Sequence, residues 1–417
     1  MFSLSRHIWR PVLLTALLLV LCLSACSTGG NTTNDKALII ASIFPTSGAE
    51  AGVGTSMQDA VDLAVQQNAS LPNGYTLSAV NVDEANGFMD QAVKSLAANN
   101  LTLGIIGPLD NQDAVAMLPS IEANGIATIS PSATLPGLTE SSAAAAEGLD
   151  FASLHPSGKP TAFFRLPQTD AALGKAAADV AAASTQKNGL EAQSAFLVND
   201  GTASGKAQAA AFKAEFGANQ GSVVGQAAML AGTQDNTQAI VSAIVEAAPS
   251  IVFFAGSIAA GAELRSTLTL SGVPLPLLTV GPTADDPSWS TAVGLAAAST
   301  NTTALLPAED LSKLAKTKSF VVAFHTAYPG TSSLPETALA YDAAMDEISA
   351  IKSLINSGKP VTRAAVLAAV ASTPFTGITG SIKFNQNGEN TTPPSFSLYS
   401  CNSKGAWQYQ ATLGAAG

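Results

Sequence analysis

Few residues in this chain can ligate a metal through sulfur or imidazole, or close a disulfide. Of the three cysteines in 417 residues, Cys22 and Cys26 lie in an apolar N-terminal segment and only Cys401 lies beyond it. No disulfide framework is therefore expected, and a chain this long builds a sufficient core without one. Histidine is equally scarce: after His7 there are only His155 and His325. Neither belongs to an HExxH or similar ligand cluster, which argues against a structural metal site. Positive charge is short as well, with 19 Lys and Arg against 30 Asp and Glu and a formal charge of −11. Nucleic-acid binding depends on basic side chains neutralising phosphates, and there is no basic cluster to do it. Catalytic signatures are missing too. The run Gly201-Thr202-Ala203-Ser204-Gly205-Lys206-Ala207 brings its glycines one residue too close for a phosphate loop and has no Ser or Thr after the Lys. No GxSxG elbow occurs, and nothing points to a Ser-His-Asp triad. Asp83 and Glu84 end an expected strand, where a solvated or structural role is the commoner one. No cofactor is called for.

What is present begins at the N-terminus. Arg6 and Arg10 precede an uncharged stretch at 12–23, which closes on Leu23-Ser24-Ala25-Cys26 and gives way to the polar run 27–34. The apolar stretch is shorter than the about 20 residues that span hydrocarbon. Its small residues before Cys26 make a lipobox, so residues 1–25 are expected to be a lipoprotein signal cleaved before Cys26. Cys26 would carry the lipid, and 26–36 would be a flexible tether to the membrane. Removing residues 1–25 leaves 392 residues and takes away two positive charges, moving the formal charge from −11 to −13. A chain of that size exceeds what one core normally fills, and two domains are expected.

Apolar, β-branched runs alternate with segments of helical period. Strands are expected at 37–44, 75–82, 103–106 and 126–129, with helices at 55–67, 89–99 and 112–124. From 140 to 159 the pattern lapses into Ala, Ser, Gly and Pro, as in a long surface insertion. A second series follows, with strands at 162–165, 194–198, 222–228, 251–255 and 277–280 and helices at 170–184, 203–216, 234–247 and 259–271. Such βαβ series form open, mostly parallel sheets with helices on both faces, and bind ligands beyond the carboxyl ends of the strands. Further on, 310–328, 336–357 and 362–372 read as helices. The runs 380–384 and 396–400 suggest a terminal hairpin, with Gly388 supplying a turn.

Several runs are recognisable in order. They are Ile43-Phe44-Pro45-Thr46-Ser47-Gly48 with Gly54, then Asp83-Glu84-Ala85, Gln91-Ala92-Val93 and Ile105-Ile106-Gly107. Gly125-Ile126-Ala127-Thr128-Ile129-Ser130-Pro131-Ser132-Ala133-Thr134 follows, trailed by Leu138-Thr139. After these come Phe196-Leu197-Val198-Asn199-Asp200 through Gly205, Val252-Phe253-Phe254-Ala255-Gly256, Gly281-Pro282 and Ala340-Tyr341-Asp342-Ala343. Together they resemble periplasmic binding proteins of the leucine/isoleucine/valine type over essentially 37–400. The resemblance implies a type I periplasmic-binding-protein fold: two doubly wound parallel-sheet lobes joined by three hinge crossovers and closing on a ligand. Lobe one would hold 37–164 and 300–378, and lobe two 165–299 and 379–417.

In the amino-acid binders of that family, two segments of the first lobe hold the ligand carboxylate with hydroxyls and backbone N–H groups. The matching positions are Asn111 and Ser132, Ala133 and Thr134. Ser132 and Thr134 also suit turn and N-cap positions, and Asn111 suits a helix cap. The second lobe departs from the family. Ser204, Ser257 and Thr283 stand where aromatic and acidic residues would surround an ammonium, and hydroxyls offer neither charge nor ring. Asp285 or Asp286 could supply the charge, and Asp110 lies near the other wall. The family's disulfide positions hold Asn86 and Asp110.

The implied function is non-enzymatic: a monomeric, lipid-anchored extracytoplasmic protein that passes a small polar ligand, an amino acid by default, to an ABC permease. An amide, organic acid or polyol is an alternative ligand. A sensory module for a membrane receptor is an alternative use. A surface hydrolase would need a base near Ser204 or Ser257, and none is evident.

Overall fold

The computed structural model describes residues 36–48, 50–158, 161–183, 190–229, 234–281, 288–294, 301–402 and 404–414. The expected signal, Cys26 and the expected tether up to residue 35, as well as Thr283, Asp285 and Asp286, lie outside the described residues.

The first sheet holds β1 (Ala37–Phe44), β2 (Thr76–Asp83), β3 (Thr102–Ile106), β4 (Ala127–Ser130) and β5 (Phe163–Arg165) in the order β2-β1-β3-β4-β5. All its pairings are parallel. Alternate residues of β1 face opposite cores. Leu38, Ile40 and Phe44 pack with the helices Ala51–Gln67 and Pro335–Asn356, whereas Ala41 and Ile43 pack with Met89–Ala98 and Asn111–Asn124. Burial on both faces explains why the strand reads as a continuous apolar run. Each large apolar side chain so buried contributes about 1.5–3 kcal/mol relative to exposure. Gly54 lets the first helix sit against the loop after β1, because a Cβ there would come 1.9 Å from the Pro45 carbonyl oxygen.

The second sheet begins with β6 (Ser194–Asn199), β7 (Ser222–Ala228), β8 (Ile251–Ala255), β9 (Leu277–Val280) and β10 (Thr302–Leu306). A two-stranded ribbon of β11 (Phe375–Thr376) and β12 (Ser381–Ile382) follows, and then β13 (Ser395–Cys401) and β14 (Trp407–Gly414). The sheet order is β14-β13-β10-β9-β8-β6-β7, with β13 antiparallel to both β10 and β14. Its helices again lie on both faces. Leu197 and Phe253 meet Asp170–Ala182 and Ala203–Ala218, while Phe196, Val198 and Phe254 meet Gln234–Ala247 and Ile258–Leu270.

The chain crosses between the lobes three times, after β5, after β10 and after β12. Between the second and third crossings, Thr317–Ala327, Pro335–Asn356 and Arg363–Ser372 pack into the first lobe.

Three expectations are corrected. β10, placed with lobe one by the boundary at 300, is paired to β9 and β13 of the second sheet, so the return to lobe one comes after Leu306. The expected hairpin of 380–384 with 396–400 does not form, because β12 pairs with β11 and β13 is sandwiched between β10 and β14. Gly388 does turn the chain, at φ +77, and Phe384 bridges Asn390 across that turn. The described part of the expected surface insertion, 140–158, is packed rather than only superficial. It makes short helical turns and buries Leu154 and His155, whose Nε2 lies 2.7 Å from the Leu138 carbonyl and Nδ1 3.2 Å from Glu122.

Candidate functional site

Strand carboxyl ends of both lobes open onto a cavity of about 840 Å³. The first lobe contributes Glu50, Leu109, Ser132 and Thr134, and the second Asp170, Gln208 and Ile258. A neighbouring cavity of about 620 Å³ shares Glu50 and Leu109 and reaches Asp110, Asn111, Glu147 and Ser204.

The first-lobe wall is tied down by side chains that bond backbone. Glu84 accepts from the N–H groups of Leu109 and Asp110, each at 2.8 Å, so the pair Asp83 and Glu84 is structural as expected. Asp83 in turn accepts from the Thr46 N–H and the Ser47 hydroxyl. Burial pushes Glu84 up to about 8, although those two N–H groups favour its ionised form. Asp110 caps the helix Asn111–Asn124 by accepting from the Gln112 N–H, so Asn111 is not the cap.

Asn111 instead joins two other expected site residues, Thr134 and Ser204. Its Oδ1 accepts from the N–H groups of Thr134 (2.9 Å) and Leu135 (3.1 Å), and its Nδ2 donates to Thr134 Oγ1 (3.3 Å) and Ser204 Oγ (2.9 Å). The last bond links the two lobes directly. Ser132 lines the main cavity, but its hydroxyl donates to the carbonyls of Pro108 and Leu109. The N–H groups of Ser132 and Ala133 are taken by Ser130 Oγ. Thus four successive backbone N–H groups, 132 to 135, already have acceptors within the loop. Ala133 has its side chain in the first-lobe core, away from the cavity. Ser257 is an exposed N-cap that accepts from the Ala260 N–H, while its own N–H donates to Asp200 Oδ2. The structure therefore brings together Asn111, Ser132, Thr134 and Ser204, and leaves Ala133 and Ser257 outside both cavities.

Two functional features escaped the sequence reading. Asp170 is 1% exposed and opens the helix Asp170–Ala182, with Thr169 as cap. Its N–H donates to the Thr134 carbonyl at 2.8 Å, and its Oδ1 accepts from Gln208 Nε2 at 2.7 Å. Its Oδ2 reaches no donor at hydrogen-bonding geometry. Burial raises its pKa, with Gln208 and the Ser204 and Thr134 hydroxyls acting the other way. In the sequence, Thr169-Asp170 is an ordinary helix start, since an acid in the first turn suits the helix dipole.

The second feature is Arg165, fully buried at the first crossover. Its Nε donates to Glu389 Oε2 at 3.1 Å, its Nη1 to the Leu135 carbonyl at 2.6 Å, and its Nη2 to Thr139 and Glu389. The Arg165 N–H donates to the Gly388 carbonyl, and Asn390 Nδ2 to that of Leu166. These bonds stitch the first crossover to the third. A charged residue ending the apolar strand Phe163–Arg165 was the available signal.

Among solved structures, a leucine binding protein from Thermotoga maritima matches with a TM-score of 0.72 and 21% identity over 90% of this chain and 98% of that one. A branched-chain amino acid transporter substrate binding protein from Streptococcus pneumoniae, in complex with isoleucine, matches at 0.71 and 20% over 91% and 99%. An ABC transporter solute binding protein from R. palustris, in complex with 4-hydroxybenzoate, matches at 0.71 and 17% over 90% and 97%. These likenesses agree with the two-lobed type I fold traced above. No curated protein gives a significant sequence match. The family model for periplasmic binding proteins matches residues 38–406, nearly the whole described chain, and the protein belongs to that family.

Proposed function

We propose that this protein is the extracytoplasmic solute-binding component of an ABC importer, capturing a small polar ligand between its lobes. The observation that carries this reading is the 840 Å³ cavity at the strand ends, lined from both lobes beside the Asn111 to Ser204 bond. A site of that kind suits hinge closure around one small molecule, and three crossovers are the hinge. Proteins of the same fold are described with leucine, isoleucine and 4-hydroxybenzoate, so the fold accommodates more than one ligand class. The lipobox at 23–26 supports a lipid tether on Cys26, which would keep the lobes near the permease. Fatty-acid labelling lost on Cys26→Ser is the expected result, and labelling retained in the variant removes the tether.

A thermal-shift screen across amino acids, amides, organic acids and sugars tests the main reading. One class should raise the melting temperature, by RT ln(1 + [L]/Kd) in free-energy terms. A folded protein silent to all of them would count against solute capture.

A further inference from the structure

We propose that Arg165 and Glu389 couple the cavity loop to the hinge: the pair fuses the first and third crossovers into one ribbon held to the first lobe, so that closure turns on the residues just beyond it. Closure has a use only under the solute-binding reading; the coupling itself rests on geometry. Arg165 is fully buried and the Glu389 side chain is 17% exposed, so their charge-assisted bonds are largely shielded from water. The guanidinium grips two distant segments at once. Its Nε and Nη2 donate to the two Glu389 oxygens on the third crossover, while Nη1 donates to the Leu135 carbonyl (2.6 Å) and Nη2 to Thr139 Oγ1. Leu135 and Thr139 belong to the loop after β4 that presents Ser132 and Thr134 to the main cavity. Removing either charge would strand the other inside the protein.

Backbone contacts complete the ribbon. The Arg165 N–H donates to the Gly388 carbonyl (3.0 Å), Arg165 and Glu389 form a parallel bridge, and Asn390 Nδ2 donates to the Leu166 carbonyl (3.3 Å). Gly388 lies so close to β5 that a Cβ there would stand 2.0 Å from the Phe163 carbonyl oxygen. Both crossovers stay bonded to the first lobe as far as the ribbon runs. The Leu166 N–H donates to the Ser130 carbonyl (3.0 Å), the Thr391 N–H to that of Lys383 (2.7 Å), and the Thr392 hydroxyl to that of Ser381.

Just beyond the ribbon the chain is built to turn. Pro167, Gln168 and Thr169 separate Leu166 from the helix Asp170–Ala182, and Pro393 and Pro394 separate Thr392 from β13. Proline has no N–H, so rotation at these prolines breaks no backbone bond that they donate. Across the first of these pivots the Asp170 N–H donates to the Thr134 carbonyl (2.8 Å), so the cavity loop is gripped from the second lobe as well as by Arg165. The second crossover behaves in the opposite way. It stays with the second lobe through Asp310, whose N–H donates to Ser397 Oγ (2.9 Å) and whose carboxylate accepts from the Tyr399 hydroxyl (2.7 Å), and Leu311 then packs on the first-lobe core. Two crossovers thus move with the first lobe and one with the second, which concentrates bending at 167–169, 310–311 and 393–394.

Amide hydrogen exchange and small-angle scattering of the ligand-free mature protein test the coupling. Glu389→Gln keeps the side-chain shape and removes the charge. Exchange in 134–139 and in 163–166 should rise together, by at least ~10-fold, while β8 in the second-lobe core keeps its wild-type protection. The radius of gyration should increase, because a released ribbon lets the lobes swing wider. Thr139→Val withdraws one hydroxyl from the guanidinium without touching either charge. It should give the same pattern at ~3-fold, and it carries the test if Glu389→Gln does not fold. Wild-type exchange in either segment, or wild-type scattering, would overturn the coupling. A rise shared equally by β8 would overturn it too, since the pair would then serve general stability alone. None of these measurements involves a ligand, so solute capture stands or falls separately, on the thermal-shift screen.

Discussion

In the first lobe, the helix Pro335–Asn356 carries Asp342, Asp346 and Glu347 buried against the sheet, whereas in the second lobe the helix Ile258–Leu270 buries a cation, Arg265. Arg265 is saturated locally. Its Nη1 and Nη2 donate to the carbonyls of Leu275 and Val273 just past its own helix, and its pKa, lowered by burial to about 10, leaves it charged at neutral pH. The carboxylates are treated unevenly. Asp342 accepts from the N–H groups of Ile378 (2.9 Å) and Thr379 (2.7 Å), tying the helix to the loop before the third crossover. Asp346 Oδ2 and both oxygens of Glu347 reach no partner at bonding geometry. Burial, reinforced by the charge of Asp342, pushes Asp346 up to about 7, and Glu347 lies well above the ordinary range. Burial raises all three carboxyls, and backbone N–H groups oppose that rise at Asp342 but have no counterpart at Asp346.

Breaking the comparison at its tightest point should have the largest effect. Gly104 on β3 makes room for Glu347, because a Cβ there would stand 1.9 Å from Oε2. Gly104→Ala should cost about 3 kcal/mol in urea unfolding, the upper end of overpacking penalties. A loss near zero would mean that Glu347 swings aside freely. Next comes proton linkage. Between the ordinary aspartate value of 3.8 and about 7, the folded protein keeps a proton on Asp346 that the unfolded chain has released. The folded state then binds more protons, so stability falls as pH rises through that window. Asp346→Asn should flatten part of this slope and stabilise the protein by ~2 kcal/mol at pH 8 relative to wild type. Equal slopes in urea unfolding at pH 5 and pH 8 for the two proteins would contradict a neutral Asp346. The smallest effect belongs to the second lobe's exposed cap. Ser257→Ala removes one acceptor for the Ala260 N–H and should cost about 1 kcal/mol with ligand affinity unchanged. A large loss of affinity would restore Ser257 to the binding site.

Much of the fold was legible because its determinants are local. The strand predicted at 37–44 is β1, and those at 251–255 and 277–280 are β8 and β9. Each is an apolar run bounded by turn residues, so its conformation depends on near neighbours. The runs 302–306 and 407–414 were not read as strands. The second shows mixed burial along its length, and it is a strand because β13 lies beside it. Within the site, Asn111, Thr134 and Ser204 could be placed by motif position, but their mutual bonding could not. Asn111 and Ser204 are 93 residues apart and meet only when the lobes do.

The sequence by itself determined most of the order of strands and helices, the acidic balance, the lipobox and the family-like runs, because periodicity, charge and short motifs are properties of neighbouring residues. Only the tertiary structure decided which sheet takes β10, that Arg165 clamps Glu389 from 224 residues away, and that the Asp170 carboxylate is buried at the cavity. Those outcomes depend on desolvation and on partners supplied by distant parts of the chain. The same aspartate at an open helix start would be an unremarked N-terminal acid.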